Sequence, residues 1–125
     1  MVNLKDLKFK DQAEFTVWVN ERLNNAFKLL KKNQNVDLVF TEYRVGRDND
    51  TWNFYINFKY YQKSSGYDFT DSLSLNEVYN LDTLNHWGCL LTLMPMEKWL
   101  QYKNTLSTNQ YIELCLAGWF FTMHK

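Results

Sequence analysis

Between Trp52 and Tyr61 the chain changes character at every residue. Trp52, Phe54, Ile56, Phe58 and Tyr60 alternate with Asn53, Tyr55, Asn57, Lys59 and Tyr61. A repeat of two is the period of a β-strand, whose successive side chains leave on opposite faces. Such a segment needs strands beside it and a layer over its apolar face, so it dictates a sheet packed against something else. Val36, Leu38 and Phe40 begin a similar pattern upstream, and Gly46-Arg47-Asp48-Asn49-Asp50 is rich in turn formers. An antiparallel hairpin over 36–45 and 52–62 is predicted. Lys63-Ser64-Ser65-Gly66 reads as a second turn, leading into a third strand from Tyr67 to Leu75.

Either side of this block the period becomes helical. Asp11-Gln12-Ala13-Glu14 has capping-box spacing, and Phe15, Trp18, Val19, Leu23, Ala26, Phe27 and Leu30 follow as an apolar stripe. A helix is predicted over 11–33. Ser107-Thr108-Asn109-Gln110 is another such box, followed by Ile112, Cys115, Leu116, Trp119, Phe120 and Met123 at helical steps. That predicts a terminal helix over 109–123, with Gly118 placed for the close approach of a neighbour and with Trp18 and Trp119 as core residues. Ser74-Leu75-Asn76-Glu77 marks a short helix over 75–80. The uncharged run Trp87 to Met94 fits a strand or a buried helix, and strand is favoured. Pro95 suits the first position of a further helix carrying Met96, Trp99 and Leu100. The expected fold class is α+β: one domain over 1–125, with a long N-terminal helix, an antiparallel sheet of three to four strands and two C-terminal helices.

Composition then removes function classes. The chain of 125 residues has 14 Lys plus Arg and 14 Asp plus Glu, hence no net charge. A polyelectrolyte grip on nucleic acid needs clustered excess cations, so it is disfavoured as the main activity. Two cysteines, Cys89 and Cys115, make no disulfide framework and no zinc spacing. The first ten residues interleave Lys with single apolar residues and form no export signal. The longest uncharged stretch, Thr83–Met96, is too short to span a bilayer. A cytoplasmic protein with free thiols and no membrane contact is expected. Fourteen Asn, and 11 Lys against 3 Arg, suit AT-rich codons, which suggests a low-GC bacterium, its phage or a mobile element.

Catalytic chemistry finds little to use. His86 and Cys89 are the one local nucleophile–base pair, but no Lys or Arg lies between 64 and 97 to lower the thiol pKa. His124, next to last, is given no role. Asp48-Asn49-Asp50 lacks the later Gly and Glu of a calcium loop. Asp50, Asn57 and Lys59 are the nearest approach to a metal-dependent nuclease site, with Asn57 where a carboxylate is wanted. Four widely separated Gly exclude a glycine-rich phosphate cradle. No cofactor and no enzymatic activity are expected.

Two surface features remain. Residues 64–97 carry Asp68, Asp71, Glu77, Asp82 and Glu97 without a single cation, a net of −5. The chain also holds 9 Phe, 8 Tyr and 5 Trp, more than the apolar stripes can bury. On the face of the hairpin opposite Trp52, Tyr55, Lys59 and Tyr61 are left over, with Tyr43 as a candidate fourth. Amphipathic aromatics make interface anchors, and charges of one sign steer a complementary partner. The sequence therefore predicts a non-enzymatic protein-binding module of the inhibitor or immunity type. Its partner-binding residues would be Asp68, Asp71, Glu77, Asp82, Tyr55, Lys59 and Tyr61, occluding a basic, nucleic-acid-binding protein. Single-stranded nucleic-acid binding through Tyr55, Lys59, Tyr61 and Arg44 is the alternative, and a small nuclease the last.

Overall fold

In a computed structural model of the protein, residues 2–47 and 53–124 are described. Helix α1 runs Gln12–Gln34, followed by strands β1 (Leu38–Arg47), β2 (Phe54–Gln62) and β3 (Tyr67–Ser74). Helices α2 (Leu75–Val78), α3 (Leu81–Thr92), α4 (Met96–Tyr102) and α5 (Thr108–His124) complete the chain, with 3-10 turns at Leu4–Asp6 and Lys103–Thr105. The class is α+β, as the alternation of periods requires, and the sheet is an antiparallel meander in the order β1-β2-β3.

The local signals act as their chemistry demands. The Asp11 carboxylate accepts from Glu14 N–H at 2.9 Å and opens α1, while Asn35 ends it in the left-handed region that Asn tolerates (φ 55°). Ser74 and Glu77 form a complete capping box on α2. Ser107 and Gln110 do the same ahead of α5.

One run departs from expectation. Trp87–Met94 is no strand: Trp87 to Thr92 complete α3, so the sheet has three strands and the C-terminal region is more helical than predicted. Asn80 caps α3 by accepting from Thr83 N–H at 3.2 Å. Leu84, Gly88 and Leu91 then fall on one buried face at helical steps. Pro95 likewise stands at the N-cap of α4 rather than inside it.

All the helical cover lies on one side of the sheet. Phe54, Ile56, Phe58 and Tyr60 of β2 are buried beneath α1 and α5. Phe120 of α5 sits 4.5 Å from the Phe27 ring, 5.3 Å from Tyr60 and 5.9 Å from Phe58, joining both helices to the strand. A buried ion pair crosses the α1–α5 seam: Arg22 Nε lies 2.8 Å from Glu113 Oε2, which also accepts from Asn25 Nδ2 at 2.8 Å. Gly118 has the role expected of it, because a Cβ there would overlap the Trp87 backbone of α3.

The tryptophans sort differently from the stripes. Trp18 and Trp119 are half-buried. Trp18 Nε1–H reaches Asn109 Oδ1 at 3.0 Å under the Arg22 guanidinium, and Trp119 stacks on Trp87 at 5.4 Å. Among the described residues the fully buried indole is Trp99, with no exposed surface. Its Nε1–H donates to Asn85 Oδ1 at 2.9 Å, and Tyr111 Oη–H donates to the same oxygen at 2.8 Å. A buried amide thus accepts from two aromatic donors, and α3, α4 and α5 are tied together at one point.

Candidate functional site

Among the described residues no helix covers the other side of β2. In the register, residues directly opposite share a face. Tyr55 pairs with Gly46 and Ser74, Asn57 with Arg44 and Ser72, Lys59 with Glu42 and Thr70, and Tyr61 with Val39 and Asp68. None of these twelve residues is buried. Between the two tyrosines lies a depression of about 610 Å³, bordered by Glu42, Arg44, Asn57, Lys59, Thr70 and Ser72.

Each end of this face is set by its neighbours. A Cβ at Gly46 would overlap the Tyr55 ring, so Tyr55 lies across the glycine. Lys59 Nζ stands 3.9 Å from Glu42 Oε2, an exposed pair that neutralises two of the four charges. The remaining two are Arg44 and Asp68. The face is therefore aromatic and polar, with balanced charge.

Tyr43 does not join it. The register slips between Phe40 and Glu42, a bulge at Thr41 that advances the alternation by one. Glu42 consequently turns outward to meet Lys59. Tyr43 shares the opposite face with Phe58 and stacks 6.2 Å from Phe40, yet it stays 46% exposed and its position on β1 still borders the depression.

The four candidate acids are dispersed. Asp68 is on the outer face opposite Tyr61, whereas Asp71, three residues on along the same strand, faces inward opposite Phe58. Glu77 Oε2 accepts from Ser74 N–H at 3.1 Å within the α2 cap. Asp82 sits in the first turn of α3, where a carboxylate complements the helix dipole. Only Asp68 shares the surface of Tyr55, Lys59 and Tyr61.

Asp71 belongs to a second cluster, which the sequence did not announce. His124 Nε2 and the Tyr60 hydroxyl share a hydrogen bond of 2.8 Å, and the imidazole packs edge-on against Phe69 at 4.7 Å. Asp71 Oδ1 accepts from Ser72 N–H at 2.8 Å, while its Oδ2 is buried with no partner among the described residues. Burial raises the Asp71 pKa, partly offset by the Ser72 N–H and by His124. It lowers that of His124 and pushes Tyr60 up to about 12, with the Asp71 charge adding to the latter. His124 is thus docked on the sheet rather than idle. The signal for it was tertiary, since the strand brings Tyr60 to it across 64 residues.

Neither thiol is activated. Both cysteines are free, and burial raises both pKa values. Cys89 Sγ contacts Met96 Sδ at 3.7 Å while His86 is exposed, so the pair does not assemble. Asp48-Asn49-Asp50 and Trp52 lie outside the described residues; Asn57 and Lys59 stand on the outer sheet face. Among the described residues no three His, Cys, Asp or Glu side chains gather as metal ligands, and no helix is long and apolar enough to cross a membrane. No protein-family model, curated protein or solved structure matches this chain.

Proposed function

We propose that the protein is a non-enzymatic protein-binding module, of the inhibitor or immunity kind, that docks through the outer face of its sheet. One observation carries the reading: the uncovered face combines two half-buried tyrosines with Asn, Ser, Thr and a balanced set of charges. Tyr with small polar residues is the composition of protein-binding paratopes, because the aromatic ring supplies area at low rotamer cost and the small residues adapt their hydrogen bonds. Tyr55 packs across Gly46, and a ring already packed on its own sheet has less freedom to lose on association.

Charge selects the class of partner. Arg44 and Lys59 are offset on the face by Glu42 and Asp68, so a phosphate backbone gains little there. The partner is a protein surface of mixed charge. The recognising set is Tyr55, Asn57, Lys59, Tyr61, Arg44 and Asp68. Glu77 and Asp82 serve helix ends.

The test is retention from a low-GC bacterial lysate on immobilised protein, beside a titration with a labelled single-stranded oligonucleotide. A protein retained by the wild type and lost with Tyr55→Ala/Tyr61→Ala is the expected result. Tight oligonucleotide binding that weakens steeply with salt would put the nucleic-acid alternative in its place.

A further inference from the structure

The helical layer carries a surface of different chemistry. α1, the end of α4 and α5 enclose a groove of about 480 Å³, floored by Leu29, Leu106 and Leu114 and continued by Tyr102. No strand residue lines it, so it is separate from the outer sheet face. Lys28 and Lys32, four apart on α1 and hence on one face, stand exposed on its lip. The ion pairs among the described residues engage Arg22, Lys31, Lys59 and Lys63, and leave both of these cations uncompensated. The single acid in the lining, Glu113, is already held by Arg22 and Asn25.

The apolar surface extends beyond Tyr102. A second depression there is lined by Leu93, Met94 and Lys98, the last also outside every ion pair found. Leu93 caps α3 in the left-handed region (φ 58°) and is 77% exposed. A leucine rarely takes up that backbone conformation, and here it presents its side chain to solvent.

We infer that this groove receives an acidic, apolar helical segment of a partner protein. The cationic lip selects carboxylates and the leucine floor selects apolar anchors. The groove has no strand edge to pair with, so the incoming segment must satisfy its own backbone, which a helix does and an extended peptide does not. The inference does not depend on what binds the sheet face.

A display library of 16-residue peptides tests it, with Leu or Phe fixed at i, i+3, i+4 and i+7 and the other positions drawn from Asp, Glu, Lys, Ser and Ala. Selection on the full chain should enrich Asp and Glu over Lys. The enriched peptides, made synthetically, should bind at least tenfold more weakly to Lys28→Glu/Lys32→Glu, and should lose affinity as salt is raised. Lys59→Glu should leave their binding unchanged. Circular dichroism of the double variant guards against a folding artefact, and Leu106→Gln supplies a second, uncharged disruption of the same groove. No enrichment, or enriched peptides indifferent to both groove variants, overturns the inference. So does binding of 3:1 phosphatidylcholine:phosphatidylserine vesicles that the double variant abolishes while no peptide is selected, which would make the surface a lipid site. Self-association seen by light scattering and lost in the double variant would make it a dimer contact instead.

Discussion

The two faces of β2 are built from alternate residues of one strand and obey different rules. Phe54, Ile56, Phe58 and Tyr60 are buried under α1 and α5, interlocked with Phe27 and Phe120. Among the described residues, no helix packs on Tyr55, Asn57, Lys59 and Tyr61, which pair with their cross-strand neighbours. Burial of apolar area stabilises the fold, so the inner face is constrained by packing. The outer face contributes little to stability, and its tyrosines are therefore available for a partner. A stability cost confined to one parity of the strand and a binding cost confined to the other is what this division implies.

The largest effects should come from the inner side. Phe58→Ala and Trp99→Ala each empty a fully buried site, and a loss of about 3–5 kcal/mol in denaturant unfolding is expected. Trp99→Ala also removes one of the two donors to Asn85 Oδ1, leaving Tyr111 as the other. Trp18→Ala and Trp119→Ala, half-buried, should cost less than Trp99→Ala. A Trp18 variant as damaging as the Trp99 one would show that helical stripes, not depth, set the ranking.

An intermediate effect is expected at one end of the outer face. In Gly46→Ala the new methyl must displace the Tyr55 ring, at a cost of about 1 kcal/mol. Chemical shifts of the Tyr55 ring should move while those of Phe58 stay. On the outer side itself, Tyr61→Ala should cost under about 1 kcal/mol, the range of one cross-strand pair. A loss equal to that of Phe58→Ala would mean that the outer face is core.

The smallest effect is a pH slope at the margin of the inner face. Burial lowers the His124 pKa from 6.5, so His124 contributes stability that is present above that value and lost as pH falls through its folded value. Asp71 runs the other way. Its pKa is raised from 3.8, and the stability linked to its protonated form disappears as pH climbs through the folded value. The denaturant midpoint should therefore fall from pH 7.5 to pH 5.5 in the wild type, and fall less in His124→Gln. An unchanged slope would show that the imidazole is not docked.

The sequence made the period of each element legible where one face was apolar and the other polar. α1 and β2 are of this kind, and Asp11, Ser74 and Ser107 marked the helix starts. Period fails where it is ambiguous or interrupted. Trp87–Met94 lacks the polar residues that would separate helix from strand. The bulge at Thr41 inserts one residue without a compositional trace, which sends Tyr43 inward and Glu42 outward. Of the candidate site, Tyr55, Lys59 and Tyr61 follow from alternation alone. The dispersal of the acids follows from it too, since Asp68 and Asp71 are an odd number of residues apart on a strand. Asn85 with Trp99, and His124 with Tyr60, are tertiary pairs that no local pattern encodes.

The central claim, that the bare sheet face docks a protein, is tested most directly by a photo-crosslinking residue at Asn57, which is exposed between Tyr55 and Tyr61. After irradiation in a lysate, the adducts are divided between protease and nuclease digestion. The account predicts an adduct destroyed by protease, resistant to nuclease and absent when Tyr55→Ala/Tyr61→Ala is added. An adduct removed by nuclease, or one that persists without the two tyrosines, would contradict it.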